Sequence, residues 1–391
     1  MVEGNGIVRF IHTADWHLGL TKTSLRDKNG MPKEYIWVKN SATKIADYAE
    51  ENRIKLALLC GDILQSHKPS PTVENLLAEI IDRFIDAGMK VVYLIGNHEV
   101  PSWGDHPAKI YDTLDIEGVI IADDIAVHNL EVDGKVIQIA TIPSNALQNV
   151  LFDDALAQVV GQISEKYPAV LMSHIFVDGA KLSGSDISLL PNEAHTSPVV
   201  IKNLPFQYVA LGHIHRYQQI SSEPVAVYSG SLQRTSFVEG GETKGFVDVE
   251  IFHTGDEFST EYHFVPVNAT KFITVDVDIR GIEDGERRIC ERISALPVEG
   301  AMLKVKILRR RDDAKISLPQ IRKWGREKGA IYVTIEDKVE RNSGKEDLFQ
   351  QKPTGSIIAD VERYIDLEMP GLVNRKKEII RIIEEFDREV N

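Results

Sequence analysis

The stretch KLALLCGDILQSHKP, residues 55–69, places one carboxylate directly behind an apolar run. Residues 56–60 are apolar throughout, which is typical of a short strand that is buried on both faces. Asp62 stands where that predicted strand ends, and Gln65 and His67 follow in the same loop. A lone carboxylate is more often a polar group with ordinary hydrogen bonds than a functional residue. Whether Asp62 belongs to a functional site therefore depends on the residues at the other strand ends.

Further apolar runs repeat this pattern along the first two-thirds of the chain, at 7–11, 91–95, 136–142, 169–172 and 208–211. Helical patterns separate several of them, and the clearest covers 71–88, with Pro71 in its first turn and Gly88 at its end. Alternating strands and helices predict an α/β domain built in layers. Turn signals at 221–224 and 240–241 indicate that the later strands are antiparallel.

Ionisable or amide side chains follow most of these runs. Because strand ends in an open α/β fold meet at one crevice, these side chains are expected to lie together. They are Asp15, His17, Asp62, Asn97, His98, Glu99, His174, His213 and His215.

Carboxylate, imidazole and amide groups without a thiolate suit Mn²⁺, Fe or Zn²⁺ in a hydrolytic site. The candidate ligands are too many for one tetrahedral ion, but they suffice for two ions that share a carboxylate. Two ions roughly 3.5–4 Å apart activate a water and stabilise both oxygens of a phosphoryl displacement. A phosphate ester is therefore the predicted substrate.

The composition is that of an ordinary globular protein, with 43% hydrophobic and 27% charged residues among 391. The two cysteines, Cys60 and Cys290, provide no disulfide framework, which favours a reducing compartment. No apolar run approaches the ~20 residues of a membrane span, and no signal-peptide pattern is present, so a cytoplasmic protein without membrane contact is expected. The net charge of −14 does not suggest that the chain as a whole binds nucleic acid.

Changes in the pattern of apolar and polar residues divide the chain into four parts. Residues 1–266 form the α/β domain, and a β-α-β-α-β pattern over 267–337 predicts a small α+β domain. Residues 338–353 are polar and aperiodic, as in a linker, and 354–391 carry two helical patterns. Basic residues concentrate at 304–328, where they indicate either a solvated face or a contact surface for a polyanion.

The order of these motifs resembles the calcineurin-like metallophosphoesterases and, within them, the DNA-repair nuclease family Mre-eleven, called SbcD in bacteria. The resemblance rests on HTADWHLG at 12–19, GDILQSHKPS at 61–70, ALGHIHRY at 210–217 and YSGSLQRTSF at 228–237, followed by Lys244-Gly245-Phe246. It implies a two-layered β-sandwich core flanked by helices, with a small α+β capping domain and a helical tail. The α/β domain would be the nuclease, and the tail would bind a partner ATPase.

The resemblance also implies two Mn²⁺ ions per subunit, with Mg²⁺, Fe or Zn²⁺ as alternatives. The ligands that it implies for one ion are Asp15, His17, Asp62 and His215. Those that it implies for the other ion are Asp62, Asn97, His174 and His213.

The remaining site residues follow from the same resemblance. His98 would stabilise the transition state and protonate the leaving oxygen, and Glu99 would orient His98. Gln65 departs from the family, whose members commonly carry histidine there, which puts the efficiency or the preferred DNA end in question. His67 is a candidate replacement for that histidine, and Arg234 is a candidate substrate-positioning residue.

The implied activity is that of a 3′–5′ exonuclease and a single-strand and hairpin endonuclease, which hydrolyses phosphodiesters with a water activated by two metals. The implied partners are DNA ends, hairpins and single strands, and an SbcC-like (Rad-fifty-like) coiled-coil ATPase. The protein would act as a homodimer in a heterotetramer, in the cytoplasm at the nucleoid. The expected DNA contacts are Arg309, Arg310, Arg311 and Lys323.

Two alternatives stay open. The first is a protein phosphatase or a cyclic-nucleotide phosphodiesterase, since GNHE at 96–99 also occurs in protein phosphatases. Residues 63–66 lack the arginine that those phosphatases place after the aspartate. The second is a mainly structural protein that binds DNA ends and has only vestigial cleavage, which Gln65 favours and the complete ligand set opposes.

Overall fold

Short buried strands build two six-stranded sheets in this computed structural model, which describes residues 6–183, 194–254, 257–340, 357–368 and 375–390. The strands of the first sheet are β1 (Gly6–Thr13), β2 (Leu56–Cys60), β3 (Lys90–Leu94), β4 (Val119–Ala122), β13 (Gly245–Thr254) and β14 (Glu257–Pro266). They lie in the order β14-β13-β1-β2-β3-β4. Strands β1 to β4 are parallel, whereas β13 and β14 run antiparallel to their neighbours.

The second sheet is also mixed. Its strands are β5 (Ala126–Val132), β6 (Lys135–Ile142), β7 (Ala169–His174), β10 (Tyr208–Gly212), β11 (Gln218–Ser222) and β12 (Val225–Tyr228). They lie in the order β11-β12-β10-β7-β6-β5, with β6, β7, β10 and β12 parallel. A separate two-stranded sheet pairs β8 (Phe176–Val177) with β9 (His195–Thr196).

Nine α-helices occur in the described ranges. They are α1 (Lys33–Asn52), α2 (Pro71–Asp86), α3 (Lys109–Thr113), α4 (Phe152–Val160), α5 (Pro198–Lys202), α6 (Gly285–Ser294), α7 (Leu318–Glu327), α8 (Ile357–Glu368) and α9 (Lys376–Val390). Helix α2 begins as its sequence predicts, because the Ser70 hydroxyl accepts a hydrogen bond from Val73 N and Pro71 occupies the first turn. None of these helices is long and apolar enough to cross a lipid bilayer.

Alternation along the strands explains the layers. Phe10, Leu58 and Val92 of the first sheet pack with Met172 and Ala210 of the second, which forms the core between the sheets. The opposite face of the first sheet packs against α1 and α2, and that of the second sheet against α4 and α5. The predicted β-sandwich flanked by helices is confirmed.

The chain divides into two compact units. The first comprises Met1–Thr274, Val298–Lys304 and Gly325–Val333, and the second comprises Val275–Pro297, Val305–Trp324 and Thr334–Asn391. A three-stranded sheet has the order β15 (Phe272–Asp278), β16 (Met302–Arg310) and β17 (Tyr332–Glu340). The domain bounds read from the sequence stay predictions, and most of the predicted linker lies outside the described residues.

The sequence reasoning missed one large element, the twenty-residue helix α1. Its buried residues are Val38, Ser41, Ala42, Ile45, Ala46 and Ala49, of which three of six are alanine. Alanine gives weak hydrophobic contrast although it has the highest helix propensity, so the periodicity was faint while the helix is stable.

Candidate metal centre

Left-handed backbone occurs at four of the predicted ligands. Asp15, His17, Asp62 and His213 have φ values of 54°, 47°, 51° and 102°. In a non-glycine residue such a conformation costs of order 1–3 kcal/mol and persists only where the surroundings hold it. The loops after β1 and β2 hold each other, since Asp15 N donates to Gly61 O at 3.1 Å and His17 N donates to Asp62 O at 3.0 Å. Strain of this kind, collected at one edge of the fold, is typical of a functional site.

Two glycines allow the two sheets to meet at this edge. A Cβ on Gly212 would lie 1.8 Å from the Cys60 carbonyl oxygen, and a Cβ on Gly61 would lie 2.4 Å from His174 Nδ1. No side chain fits at either position, so the strand ends of both sheets come within reach of one another. His213, which follows Gly212, donates its backbone N–H to the Asp15 carboxylate at 3.0 Å.

The first group of candidate ligands comprises Asp15, His17 and His215. Their ligand atoms lie within 4.8 Å of one another, and all three side chains are buried. The Nε2 atoms of His17 and His215 face each other at 2.8 Å. Burial, the largest cause, holds the pKa of both imidazoles well below the ordinary value, so both rings are neutral and offer lone pairs.

The second group comprises Asn97, His174 and His213. Asn97 Oδ1 lies 3.0 Å from His174 Nε2 and 3.2 Å from His213 Nδ1. His174 Nδ1 lies 2.8 Å from the Cys60 carbonyl oxygen, which can only accept a hydrogen bond. The proton on Nδ1 is thereby fixed, and Nε2 faces the other side chains of the group.

Asp62 lies between the two groups. Its Oδ2 is 3.3 Å from His174 Nε2, 3.9 Å from His17 Nε2 and 3.9 Å from His98 Nε2. Burial raises the pKa of Asp62, but the charge and hydrogen bond of His174 outweigh it and hold the pKa well below the ordinary value. Asp62 is therefore an ionised carboxylate within reach of both groups.

These residues fit divalent cations. Carboxylate oxygens, an amide oxygen and imidazole nitrogens converge on one region, and such acceptors repel one another unless a cation or a proton lies between them. The buried Nδ1 of His17 has no hydrogen-bond partner in the described part of the chain. Burial lowers the pKa of His174, but the charge and hydrogen bond of Asp62 outweigh it and raise the pKa to about 9, so His174 carries a proton that a cation would displace.

His98 lies at the open side of this cluster. Its side chain is 38% exposed, whereas that of Asp62 is 4% exposed. The His98 backbone N–H donates to Asp62 Oδ1 at 2.9 Å, which aims the ring towards the cluster. Two groups of Gln65 contact His98 Nδ1, the backbone oxygen at 3.0 Å and the side-chain nitrogen at 3.2 Å. Gln65 thus holds the His98 ring.

Glu99, the residue expected to orient the His98 ring, makes its hydrogen bonds to the turn that carries His98 and to the segments beside it. The buried Glu99 carboxylate accepts hydrogen bonds from Leu64 N at 2.9 Å, Gly96 N at 2.8 Å and the Tyr93 hydroxyl at 2.5 Å. Burial, followed by the negative charge of Asp62, raises the pKa of Glu99 to about 7. Glu99 therefore fastens the turn that carries His98 to the loop after β2.

Arg234, the expected substrate-positioning residue, is engaged by backbone oxygens. Its guanidinium donates to the backbone oxygens of Glu239, Glu242, Ala269 and Thr270, at 2.5 to 3.3 Å. The guanidinium thereby links the chain segments that carry these four oxygens. A phosphate could bind the guanidinium only by displacing them.

The other expected contact residues have mixed surroundings. His67 is half-buried and makes no hydrogen bond within the described ranges. Arg309 is paired with Asp337 at 2.8 Å, so its charge is already neutralised. Arg310, Arg311 and Lys323 are exposed. These last three stay predicted DNA contacts.

Three residues behind His215 were assigned no role from the sequence, namely Thr235, Glu239 and Lys244, although Thr235 and Lys244 lie in the motifs that carry the resemblance. The Lys244 ammonium donates to the His215 backbone oxygen at 2.9 Å, and the Thr235 hydroxyl lies 3.4 Å from His215 Nδ1. The available signal was an acid and a lysine within the glycine-rich stretch that follows YSGSLQRTSF. Nothing in the local pattern shows that these side chains turn inward.

Sequence comparisons with known proteins agree with this geometry. A model of the family described as calcineurin-like phosphoesterase matches residues 8–217. The chain is 26% identical over 269 residues to the SbcD component of the nuclease SbcCD of Staphylococcus epidermidis, which covers 62% of this chain and 66% of that protein. Among solved structures, a dimetal phosphatase from Danio rerio aligns with a TM-score of 0.41 at 11% identity, over 66% of this chain and 99% of that one.

Proposed function

This chain belongs to the calcineurin-like phosphoesterase family, and from that membership we propose that it is a Mn²⁺-dependent nuclease that hydrolyses phosphodiester bonds in DNA. The observation that carries the proposal is the convergence of two ligand groups on the shared carboxylate of Asp62, with His98 at the open side. The similarity to a component of a nuclease supports DNA rather than a phosphoprotein as substrate. Because the chain spans only 66% of that relative, the nuclease activity belongs to the proposal.

The chemistry divides between the bound ions and the chain. Two divalent ions held by these ligands would supply positive charge to the phosphate and lower the pKa of a water. Asp62 holds the two ligand groups at a fixed separation, and the contacts of Asn97 with His174 and His213 fix the second group. The side chains hold this geometry before substrate arrives, so no reorganisation accompanies the reaction.

His98 supplies the mobile proton. Its ring is held from behind by Gln65 and reaches solvent at its other side, where the scissile phosphate would lie. An imidazole in this position donates a hydrogen bond to the phosphate and protonates the leaving oxygen. The basic residues Arg310, Arg311 and Lys323 would contact the DNA backbone outside the centre, in a protein that is acidic overall.

Nuclease assays test the proposal directly. The full-length chain should cleave single-stranded and hairpin DNA with Mn²⁺, and more slowly with Mg²⁺, while the Asp62→Ala variant prepared in parallel controls for contaminating nucleases. Hydrolysis of a small chromogenic phosphodiester without cleavage of any DNA would refute the nuclease assignment and leave a different phosphoesterase. Absence of both activities with Mn²⁺ would refute the metal-dependent reaction.

Gln65→Met should lower kcat about 2- to 10-fold with little change in KM. Methionine preserves the length of the side chain but removes the amide that lies 3.2 Å from His98 Nδ1, a polar contact that contributes about 0.5–1.5 kcal/mol. His67→Ala is the matched control in the same loop and should stay within about twofold of wild type, since His67 makes no hydrogen bond within the described ranges. Steady-state kinetics on single-stranded DNA measure both, and equal effects of the two variants would contradict the role of Gln65.

We also propose that the tail binds a coiled-coil ATPase of the SbcC class, in an assembly built on a homodimer. Helices α8 and α9 contact each other through an ion pair between Lys376 and Asp366 at 2.6 Å, and Ile382 of α9 is 56% exposed. An amphipathic helix with exposed apolar residues is suited to a groove on a partner.

Deleting residues 354–391 should abolish capture of the ATPase and leave Mn²⁺-dependent cleavage of single-stranded DNA within about twofold, because the candidate metal centre lies within residues 15–215. A pull-down with the purified ATPase measures binding. The full-length variant Ile382→Asp is a milder test of the same surface. Unchanged capture by the deletion variant would refute the assignment of the tail.

A further inference from the structure

A buried charged network lies directly behind His215. It consists of Thr235, Glu239 and Lys244, whose exposures are 6%, 0% and 2%. Burying an ion pair costs free energy unless its hydrogen bonds are nearly complete, so such a pair calls for a role beyond stability. None of the three side chains is among the candidate metal ligands.

The lysine holds the main chain of His215. The Lys244 ammonium donates to the His215 backbone oxygen at 2.9 Å and pairs with Glu239 at 2.7 Å and Glu242 at 2.9 Å. The same His215 oxygen accepts a hydrogen bond from Ser231 N at 3.1 Å. His215 is therefore fixed at its backbone from two directions.

The threonine holds the His215 ring. The Thr235 hydroxyl donates to Glu239 Oε1 at 2.6 Å, since an ionised carboxylate can only accept. The one proton of this hydroxyl is then used in the bond to Glu239. The Thr235 oxygen can therefore only accept a hydrogen bond from His215 Nδ1, which lies 3.4 Å away. The His215 proton is thus on Nδ1, and the lone pair is on Nε2, the atom that faces His17 at 2.8 Å.

We propose that Glu239, acting through Thr235, and Lys244 are positioning residues that hold His215 with its proton on Nδ1 and its Nε2 lone pair directed at a divalent cation. This inference rests on the metal centre of the proposed function. Groups that orient a ligand histidine from behind typically contribute about 10- to 100-fold to metal affinity.

Isothermal titration of the full-length chain with Mn²⁺ tests the role of the hydroxyl. Thr235→Val preserves the shape of the side chain but has no acceptor, and Thr235→Ser preserves the acceptor. We expect Thr235→Val to raise the Mn²⁺ Kd at one of two sites about 10- to 100-fold and Thr235→Ser to restore it to within about threefold of wild type. Glu239→Gln, which retains an oxygen opposite Thr235, should give an intermediate loss.

A second readout separates tautomer control from general destabilisation. In ¹⁵N-histidine spectra of the metal-free chain, the His215 signals are assigned by their absence in His215→Gln. They should report a proton on Nδ1 in wild type and Thr235→Ser, and a mixture of tautomers in Thr235→Val. This comparison remains informative even where Thr235→Val lowers the melting temperature.

The outcomes distinguish the two levels of proposal. Wild-type binding of two Mn²⁺ ions, together with an unchanged titration and unchanged spectrum for Thr235→Val, would overturn this inference alone. A wild-type chain that binds no Mn²⁺ would overturn the proposed function and this inference with it. Equal losses for Thr235→Val and Thr235→Ser would also overturn the inference, because packing rather than the hydroxyl would then be responsible.

Discussion

Asp62→Ala should remove both metal ions rather than weaken one, and should lower the rate of DNA cleavage by about a thousandfold or more. Its carboxylate lies 3.9 Å from His17 Nε2 and 3.3 Å from His174 Nε2, one histidine from each ligand group. Without it, each group loses its shared negative charge, and two cations within one cleft would repel each other unscreened.

Titration with Mn²⁺ and single-turnover cleavage of single-stranded DNA measure the two effects of Asp62→Ala. The matched control is His215→Ala, which removes a ligand from the first group only and should leave one ion bound. Asp62→Asn separates charge from geometry, because its amide oxygen still accepts the His98 N–H that Asp62 Oδ1 accepts at 2.9 Å. If Asp62→Ala still binds one ion with wild-type affinity, Asp62 does not bridge the groups.

His98→Ala should lower kcat about 10²- to 10⁴-fold while both ions remain bound, the usual contribution of a general acid. The imidazole lies on the exposed side of the cluster, and its Nδ1 is engaged by Gln65 rather than by the ligand groups. Its loss should therefore act on the transition state and leave metal affinity nearly unchanged.

The informative comparison for His98 is between substrates with different leaving groups. A substrate whose leaving group is a good one, such as a nitrophenyl phosphodiester, needs little protonation, so His98→Ala should affect its hydrolysis much less than cleavage of DNA. His98→Gln, which retains a hydrogen-bond donor but no transferable proton, should resemble alanine on DNA. Equal losses on both substrates, or a loss of Mn²⁺ binding, would contradict a proton-donating role.

The fold was largely predictable because its strands are buried on both faces. Runs such as 56–60 and 208–211 are apolar without interruption, and each became a strand of the observed sandwich. Helix α1 was missed because four of its six buried residues are alanine or serine, which give weak hydrophobic contrast. Hydrophobic periodicity detects a helix by the difference in hydrophobicity between its buried and exposed faces. That difference is small where the buried face consists of small residues.

The sequence by itself determined which residue types end the strands. Strand order is what brings Asp15, Asp62, Asn97, His174 and His213 to the same edge, and the sequence indicated this by repeating one pattern after successive apolar runs. Two-residue spacing also predicted Asp15 with His17, and His213 with His215, as paired candidate ligands, since such spacing is a local property of the chain.

Only the tertiary structure decided what stands behind those ligands. Glu99 turned out to fasten a turn, Arg234 to bind four backbone oxygens, and Thr235, Glu239 and Lys244 to support His215. The His215–Thr235, Thr235–Glu239 and His215–Lys244 pairs are 20, 4 and 29 positions apart in the chain and meet through loop closure. Hydrogen-bond direction depends on where a donor and an acceptor face each other in space, and no periodicity or spacing in the sequence carries that information.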